Sequence, residues 1–147
     1  MTERILVTGA TGYVGGRLVP KLLEAGYRVC CFVRDPERLQ SYPWLAQVEV
    51  LRGDALDPQS LQLAMQGIDA AYYLIHGQQG GKDSAGRDLQ AARNFAAAAA
   101  QADVKRIIYL GELVDPTGAL SPYLRSRHET GHTLRQQGVP VTEFRAG

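Results

Sequence analysis

The chain has 147 residues, 45% of them hydrophobic and 21% charged. That is one domain's worth, long enough to build a core without metal or disulfide staples and too apolar to stay disordered. Sixteen Lys and Arg against fifteen Asp and Glu leave a formal charge of +1. This balance argues against a polyanion-binding surface and hence against a nucleic-acid partner. No apolar run approaches the ~20 residues that cross a bilayer, and no signal-peptide core follows Met-Thr-Glu-Arg. The two cysteines are the neighbours Cys30 and Cys31. On a strand they point to opposite faces and cannot pair, so the expectation is a reduced, cytoplasmic protein without a metal site.

Strands and helices alternate along the chain. Arg4 to Thr8 is a short apolar run that ends in Gly-Ala-Thr-Gly. Tyr13 to Ala25 carries Val14, Leu18, Leu22 and Ala25 at helical spacing and stops at Gly26, with Pro20 as a misfit that costs a backbone bond. Arg28 to Val33 is the second strand. Asp35-Pro36 then reads as a cap and a first-turn proline opening a short helix to about Gln40. Val48 to Leu51 is the third strand, and Asp57-Pro58 repeats the cap for a helix through Met65 that stops at Gly67.

Asp69 to Ile75 is the fourth strand, Gly77 to Gly81 a glycine-rich loop, and Asp83 to Ala102 a long alanine-rich helix. Arg106 to Leu110 is the fifth strand and Glu112 to Leu120 a loop. Ser121-Pro122 opens a helix to about Gln137 that Gly138 ends, and Val141 to Arg145 is the sixth strand. Near-continuous apolar strands alternating with helices imply an α/β fold, a doubly wound parallel sheet of order 3-2-1-4-5-6, as one domain over residues 1–147.

The chemistry concentrates between the first strand and first helix, at Thr8-Gly9-Ala10-Thr11-Gly12-Tyr13-Val14-Gly15. The glycine spacing is G-x-x-G-x-x-G, one residue longer at its first step than the G-x-G-x-x-G dinucleotide fingerprint. Gly9 turns the chain out of the strand, Gly12 lets backbone approach a pyrophosphate, and Gly15 lets the helix pack close. The N–H groups of the helix start, with Thr11, Tyr13 and Val14 in the turn, then receive phosphate. The alternative is that the glycines only make a tight turn.

The run Thr-Gly-Ala-Thr-Gly-Tyr-Val-Gly-Gly-Arg-Leu-Val resembles the opening of the atypical and extended short-chain dehydrogenase/reductase superfamily. More narrowly it resembles its NmrA-like, NAD(P)H-binding group, related to the NAD-dependent epimerases and dehydratases. Val33-Arg34-Asp35-Pro36, Gly53-Asp54 and Thr142-Glu143-Phe144-Arg145 match in kind. The resemblance implies a Rossmann domain. In this group further chain normally shapes the substrate pocket, whereas here the chain stops at Gly147, directly after the sixth strand. A fragment or truncated product of a longer protein is therefore one reading.

A ribose-binding acid is expected about 20 residues past the glycines. Arg34 occupies that place, followed by Asp35, which reads better as a helix cap. An arginine there pairs with a 2′-phosphate, so NADP(H) is favoured with NAD(H) as the alternative. Arg17 either adds positive charge nearby or is surface. The resemblance suggests that Asp54 meets the adenine; its plain alternative is a turn-stabilising aspartate. Leu74 and His76, at the carboxyl end of the fourth strand, border the crevice where ligands bind in this architecture.

In the resembled superfamily a Tyr-x-x-x-Lys pair does acid/base work beside the nicotinamide, and a serine after the fifth strand orients the substrate. Tyr123 fits the tyrosine, Arg127 replaces the lysine, and Leu110-Gly111-Glu112 has no hydroxyl at the serine position. Tyr123 and Arg127 are thus the candidate catalytic residues, with ordinary packing at a helix start as the alternative for Tyr123. His128-Glu129-Thr130-Gly131-His132 has the outline of H-E-x-x-H, but no third ligand is evident and Gly131 weakens the helix. Two functions remain in view. One is an NAD(P)H-dependent oxidoreductase or epimerase acting on a small molecule, or the cofactor half of one. The other is a non-catalytic dinucleotide-binding redox sensor or interaction module.

Overall fold

The computed structural model describes residues 2–75, 84–112, 118 and 121–146. In chain order the elements are β1 (Arg4–Thr8), α1 (Tyr13–Glu24), β2 (Arg28–Val33), β3 (Glu49–Arg52), α2 (Pro58–Ala64), β4 (Ala70–Tyr73), α3 (Ser84–Gln101), β5 (Arg106–Glu112), α4 (Pro122–Leu134) and β6 (Val141–Ala146). Two short 3₁₀ turns, Pro36–Leu39 and Leu45–Gln47, lie between β2 and β3. The six strands form one parallel sheet of order β3-β2-β1-β4-β5-β6, the order expected from the alternating pattern.

Both faces of the sheet are apolar because both are covered. Leu6, Cys30, Phe32, Ala71, Tyr73 and Ile107 point to the face packed by α2, α3 and α4. Ile5, Val7, Val29, Cys31 and Val33 point to the other, under α1 and the 36–48 segment. Successive strand residues thus enter opposite cores, which is why these strands read as continuous apolar runs. Cys30 and Cys31 fall into the two different cores as free thiols, with burial pushing them up to about 11 and about 12. The alanines of α3 let it lie close to the sheet: Ala91, Ala92, Ala96 and Ala99 are fully buried, and Phe95 meets Tyr73 edge-on with ring centres 4.8 Å apart.

Several element bounds differ from the sequence expectation. In α1 the buried residues are Gly15, Val19 and Leu22, while Val14 is exposed. The reason is local. A Cβ on Gly15 would meet the Gly9 carbonyl oxygen at 2.1 Å, so the glycine must face the turn, and this sets the rotation of the whole helix. Pro20 stays inside α1.

β3 is shifted by one residue to Glu49–Arg52, and β4 ends at Tyr73 instead of Ile75. β4 stops early because its neighbour β1 leaves the sheet at Gly9. The fully buried Thr8 hydroxyl donates to the Tyr72 carbonyl at 2.7 Å and accepts from the Leu74 N–H at 3.2 Å, replacing ladder bonds where the two strands part. β5 continues through Glu112 beside β6, so that residue is strand and not loop. α4 ends at Leu134, three residues before Gln137, and Gly138 turns with φ 88° into β6. The expected glycine-rich loop at 77–81 and most of the expected loop at 112–120 fall outside the described residues. No helix among the described residues is long and apolar enough to cross a membrane.

Candidate functional site

The point where β1 and β4 part is the switch point of the sheet, since the chain runs outward from it in both directions. Ligands of this architecture bind there, beyond the carboxyl ends of the strands. A cavity of about 470 Å³ occupies that place. Gly9, Thr11 and Gly12 form one wall, Val33 and Arg34 another, and Leu74 and Ile75 the back.

The glycine turn is closed by backbone hydrogen bonds. Gly9 has φ 73°, and a Cβ there would meet the Leu74 carbonyl oxygen at 2.7 Å. The Gly12 N–H donates to the Gly9 carbonyl at 3.0 Å, and the Gly16 N–H donates to the Gly12 carbonyl at 2.9 Å, starting α1. Gly12 is the cap residue of α1 and offers no side-chain acceptor. By contrast, Asp35 accepts from the Glu37 N–H, Asp57 from the Gln59 N–H and Ser121 from the Leu124 N–H, so those helical starts are satisfied internally. The first N–H groups of α1 lack an intrahelical partner and carry partial positive charge, which suits a phosphate. The residues therefore fit a dinucleotide: a Cβ-free cradle leads into an uncapped helix.

At the carboxyl end of β2, Arg34 and Arg38 both line the cavity and both are exposed. Asp35, the acid next to Arg34, has its carboxylate engaged as the cap of the Pro36–Leu39 turn. Arg38 was not singled out from the sequence. The signal for it is the four-residue spacing from Arg34 across an Asp-Pro helix start. The floor is built from the β3–α2 connection. Gly53 lies against the Phe32 ring, where a Cβ would be 2.4 Å from the ring edge. The Asp54 carboxylate accepts from the Leu56 N–H at 2.9 Å, and the Asp54 carbonyl accepts from the Ser60 hydroxyl at 2.9 Å. Asn94 of α3 donates to the Ala55 carbonyl at 2.9 Å, tying the floor to the helix behind it. The sequence pattern did not reveal Asn94 either; its partner lies 39 residues away.

Tyr13 and Val14 project outward, 75% and 44% exposed. The Arg17 guanidinium lies 3.6 Å over the Tyr13 ring and donates to the Tyr13 carbonyl, so its charge is folded onto the outer surface of α1.

The β5–α4 end has a different character. Arg127 is buried, and its guanidinium donates to the Leu110 carbonyl of β5 and lies 5.2 Å over the Tyr109 ring. The Tyr109 hydroxyl donates back to the Arg127 carbonyl at 2.9 Å. The arginine thus ties α4 to the carboxyl end of β5. Tyr123 starts the first turn of α4, but its side chain lies outside the described residues, as does His76 altogether. His128 and His132 are both exposed on α4. Between β5 and α4, the Glu143 carboxylate sits against Gly111 and Gly131, each leaving room that a Cβ would take at 2.8 Å, and it is paired with Arg135 and Arg145. Burial opposes its ionisation, and the two guanidiniums overcome this to hold the carboxyl below its ordinary range.

The family model for NAD(P)H-binding proteins matches residues 9–147. A (4-alkanoyl-5-oxo-2,5-dihydrofuran-3-yl)methyl phosphate reductase of Streptomyces griseus is 34% identical over 142 residues, covering 96% of this chain and 46% of that protein. A 3 beta-hydroxysteroid dehydrogenase/Delta 5-->4-isomerase of Mycobacterium tuberculosis is 43% identical over 70 residues, 48% of this chain and 18% of that one. Among solved structures, an Escherichia coli NADPH-dependent quinone oxidoreductase complexed with NADPH superposes with a TM-score of 0.80 at 30% identity, covering 97% of this chain and 48% of that one. The triphenylmethane reductase of Citrobacter sp. complexed with NADP(H) gives 0.80 at 28% identity, with the same 97% and 48% coverage. The chain spans about half the length of these solved structures and less than half that of these curated relatives. With its sheet order, glycine turn and family match taken together, the chain belongs to the NAD(P)H-binding family, among the NmrA-like proteins of short-chain dehydrogenase/reductase type.

Proposed function

We propose that this chain is the NADP(H)-binding part of an NAD(P)H-dependent oxidoreductase that acts on a small organic molecule. One observation carries the reading: the uncapped start of α1 opens onto the same cavity as Arg34 and Arg38, while Asp35, which also lines it, gives one carboxylate oxygen to the cap of its own turn. The turn from Gly9 to Gly12 and the first N–H groups of α1 hold the pyrophosphate. Arg34 and Arg38 hold the 2′-phosphate, and an arginine fork gives that contact direction as well as charge. NADP(H) is accordingly preferred over NAD(H). The bound nicotinamide supplies the hydride chemistry.

At the other end of the crevice, Arg127 keeps the end of β5 in place through the Leu110 carbonyl. Tyr123, at the start of α4, is the candidate proton donor to the reduced substrate. The reductase names carried by the Streptomyces, Escherichia and Citrobacter proteins support hydride transfer as the reaction class. The test is consumption of NADPH in the presence of a panel of quinones and activated carbonyl compounds. Acceptor-dependent oxidation of NADPH ahead of NADH is expected. Tight NADPH binding with no oxidation across the panel contradicts the oxidoreductase reading.

A further inference from the structure

The segment that carries Arg34 and Arg38 does not float beside the glycine turn; Tyr42 connects the two. Its hydroxyl donates to the Thr11 carbonyl at 3.3 Å, across 31 residues of sequence. The Thr11 carbonyl and the Gly12 N–H belong to one peptide plane, and that N–H is the one bonded to Gly9. A hydrogen bond to Thr11 therefore holds the plane on which the turn depends. The separation is long for an O–H···O bond, so the ring contact matters too. The Tyr42 ring lies on the bare Cα of Gly16, where a Cβ would be 3.0 Å from its Cε1 and 3.1 Å from its oxygen.

The other side of the ring is fixed as well. It stacks on the buried Trp44, with centroids 4.8 Å apart and planes 26° from parallel. The Tyr42 N–H donates to Leu39 and its carbonyl accepts from Leu45, so the residue is anchored between the two 3₁₀ turns. Leu39, fully buried, closes the turn that presents Arg38.

We propose that Tyr42 is a positioning residue: it clamps the arginine-bearing segment to the glycine turn and so sets the span between the 2′-phosphate and 5′-phosphate subsites. This rests on the NADP(H) reading above. A ligand that reaches both subsites gains from their fixed separation, because its second phosphate binds at high effective concentration. A ligand that occupies one subsite gains nothing from it. Tyr42 thus acts on the difference between the two kinds of ligand, which mere packing does not.

The experiment measures affinities of adenosine 2′,5′-bisphosphate, 2′-AMP and 5′-AMP by calorimetry on the full 147-residue chain, with NADPH as competitor for the weak ligands. Wild type is compared with Tyr42→Phe, which removes the hydroxyl, and Gly16→Ala, which displaces the ring. Alanine is the better helix former, but its Cβ presses on the Tyr42 ring at 3.0 Å, so thermal stability is measured for both variants and Tyr42→Phe, which keeps the ring, decides the matter alone. The bisphosphate's advantage over the better monophosphate is expected to fall about three- to tenfold in both variants, the scale of one hydrogen bond or its equivalent. An advantage preserved in the variants, equal losses for all three ligands, or no advantage in wild type overturns the role of Tyr42 and leaves the cofactor reading standing. A wild-type chain that binds neither the bisphosphate nor NADPH overturns the cofactor reading, and the inference with it.

Discussion

The β1–α1 and β5–α4 junctions, both at the carboxyl edge of the sheet, are built by opposite means. At the β1–α1 end the helix start carries no side-chain cap, the turn rests on Gly9 and Gly15, whose Cβ positions are already occupied by backbone, and the arginines nearby are exposed. At the β5–α4 end the helix start is capped by Ser121, and the buried arginine donates its guanidinium to the protein's own backbone. The first end leaves main-chain N–H groups and exposed arginines for a ligand; at the second, the Ser121 hydroxyl and a terminal nitrogen of Arg127 are engaged by the protein's own backbone. Cofactor binding is thus written in main-chain geometry, and the chemistry beyond it in side chains that this fold tolerates in many versions.

The turn is the most sensitive point of the first end. Gly15→Ala puts a methyl group 2.1 Å from the Gly9 carbonyl. It is expected to cost about 3 kcal/mol of stability, the upper end for overpacking, as read by urea denaturation. A variant as stable as wild type removes the close approach on which the turn rests. Next in size, Arg34→Ala is expected to weaken NADPH by about 1.5–3 kcal/mol, the range for a charged hydrogen bond, and to leave NADH unchanged. Equal losses for the two cofactors remove Arg34 from the selective subsite.

A smaller effect sharpens the contrast between capped and uncapped helices. Asp57→Ala removes the α2 cap and should cost about 1 kcal/mol of stability without changing NADPH affinity. A change in affinity shows that the internal caps are coupled to the site. The smallest effect lies at the far end. Because the folded Glu143 carboxyl is held below its ordinary value of 4.5, its contribution is present above that pH and is lost as pH falls through the lowered value. The stability gap between wild type and Glu143→Gln should therefore be fully open near neutrality and close on acidification. A gap that does not depend on pH shows that the carboxylate's charge is not what stabilises this corner.

Much of the scaffold was legible because its signals are local. Asp35-Pro36, Asp57-Pro58 and Ser121-Pro122 open helical turns where their cap chemistry places them, and Gly26, Gly67 and Gly138 take positive φ just past helix ends. Apolar runs marked the inner strands because both their faces are covered, whereas the edge strands β3 and β6 hold no buried residue. The rotation of α1 was not legible, since Val14 and Val19 are equally apolar and only the Gly15–Gly9 approach selects between them. Nor were Thr8, Tyr42 and Asn94 legible as supports. Each acts through a side-chain contact to backbone 31 to 66 residues away, and such contacts leave no periodicity in the chain. Arg38 lay between these cases: its spacing was visible, but its aim depends on the cap that starts its turn.

The uncapped start of α1 and the Arg34–Arg38 pair together make up the proposed NADP(H) site. Its most direct test is a calorimetric titration of the chain with NADPH and NADH in parallel at one fixed salt concentration. Saturable binding of NADPH well ahead of NADH is the predicted result. Equal affinity for the two, or no binding of either, contradicts it.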